Sequence, residues 1–251
     1  MKLAPRYQRL HRCVAIAALA AGTVFIPAAA TEFSVSPIRV DLRPGVMSET
    51  ITVTNHDTRK MRVSIKLMAW TQDASGKDVY TESNDLIWFP RQMELDPDSK
   101  RLVRVGAKTP AGTQERSYRL WIEEEPQPSG EAIGRAQVSF YFRFGVPVFL
   151  VPATGQPLPE VGEPTLGKGK VSVVVRNNGN QHFRLTRVAV TAAPGLNSEV
   201  PGWYSLPGTE RTYTVDIPRE ACVKARVLNV LLEGEGVRID RTLNVDPANC
   251  A

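Results

Sequence analysis

Short runs of β-forming residues, separated by turn sequences, constrain the fold of this 251-residue chain more than any other feature. The runs are rich in Val, Ile, Thr and aromatic residues, which favour strands, and few windows have a helical period. Turn-forming combinations such as NHD, DPDS and NNGN separate them, and the chain holds 19 Pro and 18 Gly. Many short strands at regular spacing are typical of β-sandwiches. We therefore predict an all-β protein built from immunoglobulin-like sandwiches.

A stretch rich in Pro and Gly divides the chain into two parts. Residues 151–164 read VPATGQPLPEVGEP, with four prolines and two glycines, a composition that interrupts a ladder and suits an exposed linker. Each flanking part has about the 100 residues that one sandwich requires. We predict an N-terminal immunoglobulin-like domain at 31–151, a C-terminal one at 152–251, a stiff Pro-rich linker and a cleft between them.

The first thirty residues have the pattern of a secretory signal peptide. Four basic residues in MKLAPRYQRLHR precede the apolar run CVAIAALAAGTVFI, and Ala28 and Ala30 end the segment in a small-x-small arrangement. A membrane anchor is the alternative, but the apolar run is short for a bilayer. We predict cleavage after Ala30 and export of the remaining chain.

Removal of residues 1–30 changes the charge of the chain. The whole chain has 31 Lys and Arg against 26 Asp and Glu, and the segment carries four of the basic residues and no acidic one. The remaining 27 basic and 26 acidic residues nearly balance. A net charge close to +1 gives no support to nucleic-acid binding, so we expect no nucleic-acid partner.

Two cysteines remain after the predicted cleavage, Cys222 and Cys250. Cysteines of exported chains pair more often than not, and only one pairing is possible here. A reactive thiol at Cys222, which has basic neighbours in REACVKAR, is the alternative. We expect the disulfide.

Residue types that carry catalysis are sparse. His56 and His182 are the two histidines beyond residue 30, and both lie beside turn sequences. The chain has no G-x-S-x-G, H-E-x-x-H or C-x-x-C motif. We therefore expect a binding protein that is not an enzyme and uses no cofactor or metal.

One long alternating run is more apolar than a polar chain of this kind requires. Residues 136–152 read AQVSFYFRFGVPVFLVP, with Val or Phe at every second position from 138 to 148. Alternate residues of a strand point to opposite faces, so one face of this strand is almost wholly apolar. That face either lies in the protein's own core, which the residues alone favour, or binds another chain.

Several segments in order resemble the periplasmic pilus-assembly chaperones of the chaperone–usher pathway, the PapD-like family. They are FSVSPIRVDLRPG, ITVTNHDTRKMRVSIKLMAWTQ, WFPRQMELDPDSKRLVRV with Pro90, Leu95, Pro97 and Arg104, SYRLWIEEEP, and SFYFRFGVPVFLVP. In the C-terminal half, VRNNGNQHFRL and GWYSLPGTERTYTVDIP resemble the archaic-type branch. Each segment alone is weakly specific, whereas their order and the export signal together are specific.

The resemblance implies a function for the long apolar strand. Pilus subunits of such systems lack their last strand, and the chaperone lends its own strand to the open groove, which is strand addition. The implied donor face consists of Val138, Phe140, Phe142 and Phe144. Val146 and Val148 are expected to hold the strand in the protein's own sheet. The implied partners are pilus or fimbrial subunits and an outer-membrane usher. A free apolar edge is prone to aggregate, so we expect self-association or a mobile loop to shield it when no subunit is bound.

The resemblance also implies an anchor for the subunit's C-terminal carboxylate. Arg39, two residues after Pro37, corresponds to the family's first-strand arginine, and a guanidinium binds a carboxylate through two hydrogen bonds. The family's second residue is a lysine, but Pro147 occupies that position. Arg104 or Arg119 is expected to substitute, with an ordinary ion pair as the alternative for each.

A second class of function stays open at this point. An exported two-domain adhesin or structural fibre subunit would also have an immunoglobulin-like sequence. A subunit is expected to begin with an unstructured donor segment, whereas TEFSVSPIRV becomes strand-like within a few residues of the predicted cleavage site. The chaperone is therefore the favoured interpretation.

Overall fold

The computed structural model describes residues 33–126, 141–193 and 195–250. The predicted signal peptide lies outside the described residues. Among those residues, no helix is long and apolar enough to cross a membrane. The first domain contains β1 (Phe33–Ser36), β2 (Val40–Leu42), β3 (Ser48–Asn55), β4 (Met61–Gln72), β5 (Asp78–Glu82), β6 (Leu86–Phe89), β7 (Gln92–Leu95), β8 (Lys100–Ala107), β9 (Arg116–Glu124) and β10 (Arg143–Leu150).

Two sheets form the first sandwich. In the described part of the chain, one sheet has the strand order β1-β3-β8-β6, and the other has β2-β10-β9-β4-β5 with β7 also paired to β4. All of these pairs are antiparallel except β2 with β10, which is parallel. The arrangement is that of the predicted immunoglobulin-like sandwich.

Alternation of side chains produces the core of this sandwich. Along β4, Met61, Val63, Ile65 and Leu67 are buried at every second position, and the residues between them are exposed or half-buried. Equivalent rows from both sheets meet in one apolar cluster. Burial of an apolar side chain contributes about 1.5–3 kcal/mol, so this period-two pattern determines which face of each strand points inwards.

The second domain is a smaller sandwich with its own apolar cluster. One sheet has the order β11-β13-β12 with β17 on β13, and the other has β15-β14-β18-β19 with β16 on β14, as far as the structure describes the chain. The elements are β11 (Pro159–Val161), β12 (Thr165–Gly167), β13 (Lys170–Asn177), β14 (Phe183–Ala192), β15 (Leu196–Pro201), β16 (Tyr204–Ser205), β17 (Glu210–Asp216), α1 (Arg219–Lys224), β18 (Val227–Gly234), β19 (Val237–Asn244) and a 3-10 helix (Pro247–Cys250).

A disulfide joins Cys222 in α1 to Cys250 in the 3-10 helix, as the sequence predicts. Both cysteines are buried in the second core. The bond therefore ties the end of the described chain to the helix that precedes β18.

The segment between the domains differs from an exposed linker. Val151 and Pro152 are buried, and Pro159–Val161 form β11, which pairs with β13. The Pro-rich linker is present, but the expectation that all of it is exposed and unpaired is wrong for these residues. Pro159 begins an edge strand, a position where a proline leaves no ladder hydrogen bond unmade.

Apolar residues from both domains pack together where the sandwiches meet. Trp70, Phe149 and Val151 of the first domain contact Tyr204 and Leu206 of the second. Polar groups also cross the junction, since Gln72 Nε2 donates to the carbonyl oxygen of Tyr204 at 2.9 Å. This contact fixes the walls of the cleft described below.

Candidate functional site

Strand β10 has an open edge over part of its length. Residues Arg143–Leu150 all pair with β9, but only Val148–Leu150 also pair with β2. Among the described residues, the other edge of residues 143–147 therefore has no partner strand. An unpaired strand edge presents a row of main-chain donors and acceptors that another chain can pair with.

The register shows which main-chain groups point outwards. The amide of Glu124 donates to the carbonyl oxygen of Phe142 at 2.9 Å, so residues 142 and 124 are a hydrogen-bonded pair. Such pairs alternate in an antiparallel ladder, and residues 144 and 146 therefore also face β9. The main-chain groups of Arg143 and Gly145 consequently point towards the open edge.

The candidate donor side chains divide into described and undescribed residues. Val138 and Phe140 lie outside the described residues. Phe142 and Phe144 are half-buried and pack against the first core, where both rings meet Phe33 edge-on, with centroids 6.2 and 4.9 Å apart. The two described candidates thus lie at the margin of the core rather than deep inside it.

Val146 and Val148 occupy the part of β10 that is integral to the sandwich. Both are buried in the first core, as the sequence predicts. The strand therefore passes from a buried end at Leu150 to the half-buried Phe144 near its start, and Phe142 lies just before the strand.

A pocket of about 640 Å³ lies at the foot of this strand, between the two domains. Its walls carry three arginines and one carboxylate. The lining residues are Pro37, Ile38, Arg39, Arg119, Pro147, Arg184, Trp203, Tyr204 and Glu235. A pocket with this excess of guanidinium groups favours an anion, and a carboxylate matches their hydrogen-bonding geometry.

Arg39 lies in the bend that precedes β2. Its Nη1 donates to Glu235 Oε2 of the second domain at 2.6 Å, and its Nε lies 3.5 Å from Asp41 Oδ1. The Arg39 side chain is 35% exposed, so it is accessible from the pocket. The pKa of Glu235 is lowered, chiefly by the hydrogen bond from Arg39, and this carboxylate is ionised at neutral pH.

Arg119 of β9 is only 5% exposed, yet much of its hydrogen-bonding capacity is unused. Its Nη1 donates to the carbonyl oxygen of Gly145 at 3.1 Å, and its guanidinium stacks on Trp70 at 4.0 Å from the ring centroid. Nε and Nη2 are buried and make no hydrogen bond of standard geometry among the described residues, although Tyr80 lies close enough for the guanidinium to oppose the rise in the Tyr80 pKa that burial causes. Buried donors without a well-placed acceptor are costly, so a carboxylate that reached them would be stabilised.

A glycine allows Arg119 to reach the pocket. Arg119 lies opposite Pro147 in the register, and its side chain passes over Gly145 on the same face. A Cβ at position 145 would lie 3.0 Å from Arg119 Cδ and 2.5 Å from Trp121 Cζ3. The absent side chain is therefore what permits this approach.

Arg104 occupies a different place. It lies on β8, in the other sheet of the first sandwich, and its Nη2 donates to Ser48 Oγ at 3.1 Å. The structure thus brings Arg39 and Arg119 together in the pocket and leaves Arg104 on the outer face. Sequence reasoning missed Arg184, Trp203, Tyr204 and Glu235, because no local pattern in the second domain indicates a site shared with the first.

A buried polar contact holds the domains on another side of the junction. His182 Nδ1 lies 2.8 Å from Glu115 Oε1 and 2.9 Å from Oε2, and the His182 amide donates to Oε1 at 3.2 Å. The imidazole also stacks on Phe149, with centroids 3.6 Å apart. His182 is therefore a structural residue at the end of a loop.

Comparisons with known proteins agree with this architecture. Residues 32–156 match the family described as pili and flagellar-assembly chaperone, PapD N-terminal domain. A chain in the CsuC–CsuE chaperone–tip adhesion subunit complex from archaic Csu pili of Acinetobacter baumannii is 19% identical, with a TM-score of 0.58. The alignment covers 85% of this chain and 98% of that one.

Two further structures have the same two-domain fold. The CupB2 chaperone of Pseudomonas aeruginosa is 16% identical, with a TM-score of 0.53 over 85% of this chain and all of that one. A chain in the complex of the Salmonella enterica SafA pilin with the SafB chaperone is 15% identical, with a TM-score of 0.53. That alignment covers 85% of this chain and 99% of the other.

Proposed function

We propose that this chain, which belongs to the family of pilus-assembly chaperones, binds incompletely folded pilus subunits in the periplasm through the open edge of β10. It then delivers them to an outer-membrane usher. One observation carries the proposal: among the described residues, the outer edge of residues 143–147 has no partner strand, and it lies beside half-buried apolar side chains. Residues 1–30 would be the export signal, with domains at 31–151 and 152–251.

Strand addition uses both properties of this edge. The main-chain groups of Arg143 and Gly145 would pair with an edge strand of the subunit and continue the sheet across the two proteins. Phe142 and Phe144, continued by Val138 and Phe140, would fill the subunit's apolar groove. Main-chain pairing supplies affinity for many subunits, whereas the size of the Phe side chains sets the fit.

The pocket at the foot of β10 would hold the subunit's C-terminal carboxylate. Arg39 and Arg119 line it from the first domain, and this role is supported by Nε and Nη2 of Arg119, which make no hydrogen bond of standard geometry in the described part of the chain. Binding one end of the subunit at this pocket would set the register in which the rest of its strand pairs with β10, and a register shift of one residue reverses every side chain.

The proposed reaction makes or breaks no covalent bond and requires no cofactor. A subunit whose fold is unfinished gains buried apolar area when β10 enters its groove. Transfer to a strand from another subunit would release the chaperone, provided that the second complex is better packed. The adhesin or fibre-subunit alternative is not favoured, since the comparisons are with assembly chaperones.

Co-purification from the periplasm tests this proposal. The chain is expressed with the subunits encoded beside it, as wild type and as Phe140→Asp with Phe142→Asp. A charge forced into an apolar groove costs several kcal/mol, so the variant is expected to lose the subunit. Tyr141→Asp is the matched control because Tyr141 is 50% exposed.

Circular dichroism establishes that each variant is folded. A folded Phe140→Asp/Phe142→Asp variant that retains as much subunit as wild type would refute strand addition through this face.

A further inference from the structure

We propose that Glu235 is a built-in competitor for the carboxylate pocket, and that Arg184 is a third arginine of that pocket, contributed by the second domain. In the free protein the Glu235 carboxylate is hydrogen-bonded to Arg39, and an incoming carboxylate displaces the Glu235 side chain towards Arg184. This inference rests on the proposed function and specifies how its anchor is regulated.

The two oxygens of Glu235 already bridge the domains. Oε2 accepts from Arg39 Nη1 at 2.6 Å, and Oε1 lies 3.6 Å from Arg184 Nη1. Glu235 therefore makes in the free protein the kind of contact that a ligand carboxylate would make. Because Arg184 lies farther from Glu235 than Arg39 does, the Glu235 carboxylate is able to move closer to Arg184 when Arg39 binds a ligand.

The backbone positions Glu235 for this exchange. It lies in the two-residue turn between β18 and β19, where Gly236 has a φ of +69°. The Glu235 amide donates to the carbonyl oxygen of Arg184 at 3.0 Å, which ties the turn to β14. The main chain is thus fixed, while the side chain, 48% exposed, is able to change rotamer.

The charges of the pocket also favour an exchange. Three guanidinium groups face one carboxylate inside the pocket, with Asp41 adjoining Arg39 from outside. Arg184 Nε and two nitrogens of Arg119 are buried without hydrogen-bond partners in the described part of the chain. Unused donors leave capacity for a second carboxylate, but a carboxylate bound at Arg39 would lie close to that of Glu235, and the two negative charges would repel each other.

A selective consequence follows for partners. A ligand carboxylate gains binding free energy in the pocket only if its contacts with Arg39 and Arg119 are more favourable than the contact between Glu235 and Arg39 that it replaces. An isolated carboxylate would therefore bind weakly, whereas a carboxylate brought to the pocket by pairing along β10 would bind well. Glu235 thereby suppresses occupation of the anchor by free carboxylates.

Titration with N-acetylglycine, a minimal chain terminus, tests the inference on the full chain without its signal segment. The Nε–H resonances of Arg39, Arg119 and Arg184 report binding by NMR. Glu235→Gln is expected to lower the dissociation constant three- to tenfold, and Arg184→Gln to raise it about threefold. N-Acetylglycinamide, which lacks the carboxylate, is expected to give no response.

Glu233→Gln is the matched control, because Glu233 lies two residues away and pairs with Arg187 and Arg238 outside the pocket. Three results would refute the role of Glu235 as a competitor. They are equal dissociation constants for wild type and Glu235→Gln, tighter binding by Glu233→Gln as well, and no response in any protein. An unchanged constant for Arg184→Gln would remove Arg184 from the site.

Failure of this inference is distinguishable from failure of the proposed function. If Phe140→Asp/Phe142→Asp loses the subunit while Glu235→Gln binds N-acetylglycine like wild type, the chaperone function is supported and the role of Glu235 as a competitor is refuted. If the charged variant keeps the subunit while Glu235→Gln binds N-acetylglycine more tightly, the carboxylate pocket stands and strand addition falls.

Discussion

Arg119 on β9 lies directly opposite Pro147 on β10, at the wall of the pocket between the two domains. The family resemblance places a lysine at the position of Pro147, and a proline supplies no charge. Arg119 comes from the neighbouring strand and crosses Gly145 to the same region. A positive charge is therefore present beside residue 147 although that residue does not provide it.

Replacement of Arg119 is expected to weaken subunit binding. A hydrogen bond to a charged group contributes about 1.5–3 kcal/mol, so Arg119→Gln should raise the dissociation constant of the subunit complex about 10- to 100-fold. The measurement is the rate at which the chaperone dissociates from a subunit that is immobilised on a surface. Arg101→Gln, at an exposed arginine of β8, should have no effect.

Arg104→Gln distinguishes between Arg104 and Arg119, the two arginines that the sequence leaves as candidates for the second residue of the carboxylate anchor. Arg104 lies on the other sheet and contacts Ser48, so we expect its replacement to leave the dissociation rate unchanged. An effect of Arg104→Gln equal to that of Arg119→Gln would contradict the assignment of the anchor to the pocket.

Gly145→Ala tests whether the path of Arg119 over β10 matters. The new Cβ would meet Trp121 Cζ3 at 2.5 Å and Arg119 Cδ at 3.0 Å, so one of these side chains must move. Overpacking of this kind costs about 1–3 kcal/mol, and we expect both the unfolding midpoint in urea and subunit affinity to fall.

Gly112→Ala is the control for that substitution. Beyond the adjoining residues of the chain, no described heavy atom lies within 4 Å of the place that its new methyl group would take. A Gly145→Ala protein with wild-type affinity for the subunit would mean that the position of Arg119 is unimportant for binding.

The contact between Glu115 and His182 is expected to couple the two domains. Glu115→Ala leaves a buried imidazole without its partner, which costs about 1–3 kcal/mol. We expect this variant to unfold in two separate calorimetric transitions. Glu115→Gln retains an acceptor oxygen and should keep more of the coupling, whereas identical traces for all three proteins would exclude a role for this contact.

The disulfide is expected to stabilise the second domain chiefly by restricting its unfolded state. Cys222 and Cys250 are 28 residues apart, a separation for which loop-closure entropy gives about 3.5 kcal/mol. Cys222→Ala with Cys250→Ala should lower the unfolding free energy of that domain by this amount in urea titrations. A loss below about 1 kcal/mol would contradict the entropic explanation.

Most of the fold is predictable from the sequence because its signals are local. Alternation along β4 and the turn residues that follow each strand determine which faces are buried, and Val146 and Val148 are buried as expected. The short strand β11 is the exception. It lies in a segment whose prolines resemble a linker, and only pairing with β13 distinguishes an edge strand from an exposed connection.

The pocket is only partly predictable. Arg39 and Arg119 belong to recognisable segments, but the approach of Arg119 to the pocket depends on register and on the missing side chain of Gly145. Arg184 and Glu235 lie far along the chain from Arg39 and reach it only through the packing of two domains. No periodicity or motif encodes such a contact.

Residue-resolved hydrogen exchange on β10, with and without a bound subunit, measures whether the outer edge of this strand pairs with the subunit. The amides of Arg143 and Gly145 point towards the open edge, so we predict rapid exchange in the free protein and strong protection in the complex. The amides of Phe144 and Val146, which face β9, should be protected in both states. A complex that forms while Arg143 and Gly145 keep their rapid exchange would contradict strand addition.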